Sequence, residues 1–165
     1  MPLYLLRERV VDLVIRSYPA QTPAVSIAYR CEPRLGCTFI VWDADVTPEQ
    51  WSDQVDRIIE DPAFPPGPLV LADLTTAGGA PLITTDVVAK MAHRWRTYTA
   101  DLRKMRWGII PNGAWDKARQ FELELEGSNI RSMVFNEAWT ACAWLGIETD
   151  DAREILNDLR AQLRG

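Results

Sequence analysis

Histidine is almost absent from this chain: His93 is the only one. A zinc site or a Ser/His/Asp relay has a single imidazole to draw on, and no Gly-x-Ser-x-Gly elbow accompanies it. His93 stands about 200° round a helix from Met91, off the apolar stripe, where exposure is expected. Cysteine is scarce as well. Cys31, Cys37 and Cys142 are odd in number and irregularly spaced, which argues for reduced packing thiols and against a disulfide framework. No apolar run nears the roughly 20 residues of a membrane helix. The opening Met-Pro-Leu-Tyr-Leu-Leu-Arg-Glu-Arg lacks a signal-peptide layout, so a cytoplasmic location is expected. Basic excess is missing too: 18 Lys and Arg face 23 Asp and Glu, net −5. Wholesale binding of nucleic acid or anionic membrane is therefore not expected. There is no phosphate-loop or dinucleotide glycine pattern, no internal repeat and no long linker. No catalytic residue, metal or cofactor is assigned.

What is there is an ordinary globular composition, 47% hydrophobic and 25% charged over 165 residues, enough for one domain with a proper core. The centre is the stretch Gly67–Thr76. Leu69, Val70, Leu71 and Ala72 form an apolar run bounded by Pro-Gly-Pro before and Ala-Gly-Gly-Ala-Pro after. Such a run predicts a strand buried on both faces, as in the middle of a parallel sheet.

Residues 3–16 place Leu3, Leu6, Val10, Leu13 and Val14 on one stripe and predict an amphipathic helix, with Val10–Ile15 also readable as a strand. Tyr18–Pro23 is a connector. Val25–Cys31 and Thr38–Trp42, joined by a turn, predict an antiparallel hairpin. Val46-Thr47-Pro48-Glu49-Gln50-Trp51 is a helix start: Thr47 is the N-cap, Pro48 takes the first position, Gln50 closes a capping box, and Val46 with Trp51 forms a staple. That helix runs through Val55, Ile58 and Ile59 and stops before Asp61-Pro62. Thr84 or Thr85 caps a second helix with the stripe Val87/Val88, Met91, Trp95 and Tyr98. Met105–Ile110 is a strand. Trp115, Ala118, Phe121 and Leu125 mark a third helix ending at Gly127. Ile130–Phe135 is the last strand. Asn136 caps the short helix Glu137–Leu145, and a final amphipathic helix spans about 149–163. Alternation of strand and helix after the hairpin predicts an α/β fold with a mixed, mostly parallel five-stranded sheet flanked by helices.

From about Val25 to Ile147 this order resembles the STAS domain (sulfate transporter and anti-sigma-factor antagonist), especially its SpoIIAA-like relatives. Two local matches carry the likeness: the strand ending Leu-Ala-Asp73-Leu74-Thr75, and the closing segment Val134-Phe135-Asn136-Glu137-Ala138-Trp139 through Ala143-Trp144-Leu145-Gly146. The resemblance implies one domain with core 25–147 and added helices at 3–16 and 149–163. In signalling relatives a serine following an aspartate, at the start of the helix after the central strand, is phosphorylated. Here that region reads Ile83-Thr84-Thr85-Asp86, without the Asp-Ser-Ser-Gly run.

Candidate sites follow. The loop Thr75–Thr85 leaves the carboxyl end of the central strand, where ligands of open α/β sheets collect. Gly78 and Gly79 let backbone amides approach a ligand, Thr75, Thr76, Thr84 and Thr85 supply hydroxyls, and a helix N-terminus follows. The plainer reading is a connector with a threonine cap. Asp73, ending a buried strand, is a candidate phosphoacceptor or metal ligand, with Asp43 and Asp45 as a second acidic cluster, but no lysine follows at a later strand end; bonding of loop amides is its plainer role. From Lys90 to Arg106 six cations (among them Lys90, Arg94, Arg96 and Arg103) face Asp101, net +5. From Asp43 to Asp61 seven acids face Arg57, net −6. Such patches can steer a protein partner or self-association. Of seven tryptophans, Trp42, Trp51, Trp95, Trp115 and Trp139 are expected in the core, while Trp144 is off its stripe and suits an interface. The leading expectation is a non-catalytic STAS-like regulatory or scaffold module acting through protein contacts. The alternatives are a carrier or sensor of a small apolar or anionic ligand at the Thr75–Thr85 loop and, last, an Asp73-dependent hydrolase or phosphotransferase.

Overall fold

The computed structural model describes residues 25–100 and 103–164; the predicted segment 3–16 and the connector Tyr18–Pro23 lie outside them. Ten elements follow in chain order: β1 (Ile27–Glu32), β2 (Cys37–Asp43), α1 (Pro48–Glu60), β3 (Leu69–Thr76), α2 (Thr85–Thr99), β4 (Met105–Pro111), α3 (Trp115–Glu124), β5 (Ile130–Val134), α4 (Ala138–Leu145) and α5 (Thr149–Arg164). They form the expected α/β fold. One five-stranded sheet runs β1-β2-β3-β4-β5, antiparallel between β1 and β2 and parallel elsewhere. β3 is the middle strand, with a parallel neighbour on each side.

The strand order never reverses. Right-handed crossovers that all step the same way put their helices on one face, and α1, α2 and α3 share one hydrophobic cluster with Ile40, Trp42, Val70, Ala72 and Trp107. The other face takes α4 and α5, whose Cys142, Leu145, Ile155 and Leu156 pack on Phe39, Val41, Leu71 and Ile110. Alternation along β3 sends Val70, Ala72 and Leu74 to the first cluster and Leu71 to the second, as the two-residue period of a strand requires. Gly108 on β4 lets α4 come close, since a Cβ there would meet Leu145 Cδ1 at 3.3 Å and Ala141 Cβ at 3.4 Å.

The start of α1 matches its sequence signature. Gln50 N–H donates to Thr47 Oγ1 at 3.2 Å, Thr47 N–H donates to Gln50 Oε1 at 2.9 Å, and Val46 and Trp51 are both buried. Of the two threonines before α2, Thr84 is the cap and accepts from Val87 N–H.

Three expectations are corrected. α4 begins at Ala138 with Glu137 as its cap residue and no side-chain capping bond, so Asn136 is one residue too early to serve. Trp139 is 58% exposed and Trp115 40% exposed; neither is in the core. α4 turns Ala138, Ala141, Cys142 and Leu145 inward, leaving Trp139 about a third of a turn away. Trp115 opens α3, past the carboxyl end of β4.

The cap at α1 is a local device with a local cost. Thr47→Ala is expected to lower unfolding free energy by about 1 kcal/mol, measured by urea denaturation.

Candidate ligand-binding site

Because the strand order is monotone, this sheet has no point where adjacent crossovers leave to opposite faces. The crevice that usually collects ligands in open α/β sheets is therefore absent from the described residues. A cavity of about 50 Å³ lies instead inside the first layer, between the sheet and α1–α3. Its walls are Ile40, Trp42 and Ala72 from the strands, Trp51 and Val55 from α1, and Phe121 from α3, among others. Aromatic rings run round it in sequence. Trp42 meets Trp51 at 4.9 Å, Trp51 meets Phe121 at 5.9 Å, Phe121 meets Trp107 at 5.5 Å, and Trp107 meets Trp95 at 5.0 Å.

The roof is the Thr75–Thr85 loop. Ala80 and Ile83 line the cavity directly. The loop descends through successive tight turns, with Ala77 N–H on Leu74 O, Ala80 N–H on Ala77 O and Ile83 N–H on Ala80 O. Ala80 takes φ 45°, a left-handed conformation that strains a residue with a Cβ. Three side chains from the β4–α3 segment hold the loop by its carbonyls: Asn112 Nδ2 on Thr75 O at 3.2 Å, Lys117 Nζ on Gly79 O at 2.8 Å, and Gln120 Nε2 on Thr85 O at 2.9 Å. Lys117 also lines the cavity. Gly79 and Gly113 bring the two loops together, since a Cβ on Gly79 would meet Gly113 O at 3.3 Å.

Polar residues in the wall are few. Among the described residues Gln54 Nε2, Trp95 Nε1 and Trp107 Nε1 are buried without a hydrogen-bond partner, and these three residues line the cavity. Buried indole and amide N–H groups normally find an acceptor, and leaving one without costs about 1–3 kcal/mol. A fourth unpartnered group, Ser132 Oγ, is on β5 opposite Trp107 and outside the cavity wall.

The other candidate residues fall elsewhere. Asp73 is 1% exposed and turns to the opposite face, where its Oδ2 is paired with Arg160 of α5. Its Oδ1 accepts from Thr75 N–H at 2.9 Å and Thr75 Oγ1–H at 2.6 Å. The carboxylate is thus fully occupied in closing the turn and fastening α5. Thr76 Oγ1 donates to Trp42 O at 2.5 Å. Thr84 and Thr85 are exposed at the start of α2, and Gly78 is exposed in the loop. None of Asp73, Thr75, Thr76, Gly78, Gly79, Thr84 and Thr85 lines the cavity.

The charged segments meet within the molecule. Arg94 donates to Ser52 Oγ at 2.8 Å and pairs with Asp56, so the basic α2 is tied to the acidic α1. Arg96 donates to Glu124 O at the end of α3 at 2.9 Å. Lys90 and Arg103 are exposed. Trp144 is half-buried against Phe135, with Arg106 and Arg131 over its ring at 5.7 and 6.0 Å. His93 is exposed on α2. Burial pushes the Cys37 thiol up to about 12 and raises Cys31 and Cys142 as well, which keeps all three as neutral thiols at neutral pH. Among the described residues no group of three His, Cys, Asp or Glu could hold a metal, and no helix is long and apolar enough to cross a membrane.

Gln54 and Lys117 belong to the site and are not among the sequence-derived candidates. For Gln54 a signal exists: it occupies the inward stripe Trp51, Gln54, Val55, Ile58 of α1 as its one polar member. Lys117 has none, because its partner Gly79 is 38 residues away.

Compared with protein-family models, with curated proteins and with solved structures, the chain matches none.

The Asp73–Arg160 pair gives a direct test of the second face. Arg160→Met leaves a buried carboxylate without its cation, and a loss of about 3 kcal/mol is expected in chemical denaturation. The double variant Asp73→Leu/Arg160→Met should recover most of it.

Proposed function

We propose that this chain is a non-catalytic binding module that takes a small, largely apolar ligand into the cavity beneath the Thr75–Thr85 loop. One observation carries the reading: a single aromatic and aliphatic cavity is lined by Gln54, Trp95 and Trp107, whose buried N–H groups have no partner among the described residues. A concave, mostly apolar wall with a few polar residues is the usual make-up of a small-molecule site. The strained Ala80 in the roof adds to this, since such residues persist where function over-determines them. The occupation of Asp73 by Arg160 and Thr75 favours binding over chemistry at that carboxylate.

A second reading, a STAS-like regulatory or scaffold module working through protein contacts or self-association, draws on a separate observation. Leu82 and Trp115, 50% and 40% exposed, adjoin in sequence Ile83 and Ala114 of the cavity wall. The element order and the mixed sheet agree with what the resemblance implies. Light scattering of the full chain is expected to give a dimer that Trp115→Ser/Leu82→Ser returns to monomer; a wild-type monomer at all concentrations with no partner in a pulldown counts against it.

Xenon tests the cavity itself, being an apolar probe that enters dry cavities. Under xenon pressure the indole N–H resonances of Trp42, Trp51, Trp95 and Trp107 should shift, while those of Trp115, Trp139 and Trp144 stay. Ala118→Leu, which fills the wall from α3, should abolish the shifts. Unmoved resonances for all seven in the wild-type chain would remove the reading.

A further inference from the structure

Among the described residues the sheet ends at β5, and the register fixes which backbone groups face that edge. Met105 N–H donates to Asn129 O and Phe135 N–H donates to Ile109 O, each at 2.8 Å. Between them Arg131 and Met133 lie beside Arg106 and Gly108. Successive residues of a strand turn their N–H and C=O groups to opposite sides. Arg131 and Met133 therefore turn theirs to β4, while Ser132 and Val134 direct both groups outward. Among the described residues no backbone group pairs with them there. Residues 131–135 all keep accessible surface, in contrast to Val70–Leu74 of β3. A groove of about 360 Å³ lies beside the amino half of β5, with Lys104, Glu126, Arg131 and Ser132 in its wall. An open edge of this kind is a template for a further strand.

Side chains decide which strand. Arg131 is exposed and directly opposite Arg106 in the register, so two cations share one face. Both stand over the ring of Trp144, at 6.0 and 5.7 Å. Like charges opposed in this way destabilise a sheet. Arg106 donates to the carbonyls of Trp144 and Leu145, and among the described residues neither arginine pairs with a carboxylate. The other edge differs: Arg30 of β1 meets Asp158, and Tyr29 O–H donates to Asp61. The groove holds both signs, Lys104 with Glu122 and Glu126, and sets no preference of its own. An added strand places one side chain opposite Arg131 on the same face, where a carboxylate supplies the missing counter-charge. The next two positions on that face meet Met133 and Phe135. Both are half-buried, and Phe135 packs against Trp144 at 5.6 Å, so apolar side chains suit them. β5 itself contains no acid. Pairing two copies through this edge would leave Arg131 unmatched.

We infer that the outer edge of β5 takes an extended acidic segment of a partner protein as a sixth strand. The segment runs antiparallel to β5, the pairing that is more stable per residue. Its backbone bonds to Ser132 and Val134, an Asp or Glu lies opposite Arg131, and apolar side chains lie opposite Met133 and Phe135. This surface is separate from the cavity and does not depend on it.

The probe is a heptapeptide, acetylated and amidated, of sequence Thr-Val-Thr-Val-Thr-Glu-Thr, titrated into the ¹⁵N-labelled full chain. The Ser132 and Val134 amide resonances are expected to move, and those of β1 to stay. N-methylation of the third and fifth peptide residues, whose amides meet Val134 and Ser132, should abolish binding. N-methylation of the second and fourth, whose amides point away from β5, should not. Replacing the glutamate by lysine should weaken binding about five-fold, as an opposite-charge pair becomes a like-charge one, and Arg131→Glu should reverse that preference. If Arg131→Glu does not fold, the four peptides on the wild-type chain decide. No shift at millimolar peptide, or equal loss from either pattern of N-methylation, overturns the added strand. Equal binding of the glutamate and lysine peptides overturns the acidic partner. Shifts of Ser132 and Val134 that depend on protein concentration without peptide make the edge a contact between copies and overturn the proposal.

Discussion

β3 has no wet face. With a parallel strand on each side and helices above and below, every residue from Val70 to Leu74 is buried, and the rest of the molecule is arranged to make that so. Two crossovers lead into and out of β3 through α1 and α2, and a third adds α3 beyond them. All step the same way along the sheet, so three helices crowd one face. Among the described residues the opposite face is covered by α4 and α5, supplied by the chain after the last strand. A strand this apolar can be satisfied only by both layers at once.

The two layers are built differently, and function follows from the difference. The α4–α5 layer is filled by Leu, Ile, Val, Ala and Cys with Phe39, and a buried ion pair between Asp73 and Arg160 ties its outermost helix to the central strand. It reads as a seal. The α1–α3 layer sets four tryptophans and Phe121 among its aliphatic side chains. A cavity lies among them, and its wall includes Gln54, Trp95 and Trp107, whose buried N–H groups have no partner among the described residues. The loop over it is held by three side-chain bonds to its carbonyls and by Ala77, Ala80 and Ile83, which are buried in the same core.

Much of the fold was legible in the residues. The apolar run between proline and glycine breakers located β3; Thr47, Pro48 and Gln50 located the start of α1 to the residue; alternation after the hairpin implied the mostly parallel sheet. These signals are local, and the contacts that realise them are local too. The site was legible only in outline. The residues point to the Thr75–Thr85 loop, of which Ala80 and Ile83 line the cavity, while the rest of the wall comes from the strands, α1, α2 and the α3 segment. Asp73 drew notice as a buried carboxylate, but its cation is 87 residues away. Helical spacing predicts Trp115 and Trp139 in the core, but it cannot register that a first-turn residue stands clear of its neighbours. Gln54 sat in plain view on an apolar stripe, and a polar side chain at an inward position is the signal most worth reading.

The binding role depends on the cavity being occupied by something other than protein. The most direct measurement is a high-resolution crystal structure of the chain purified under native conditions, without refolding. Ordered non-protein density is expected between the sheet and α1–α3, against the wall residues Trp51, Trp95 and Trp107. A cavity closed by repacked side chains, with no such density, would contradict the binding role.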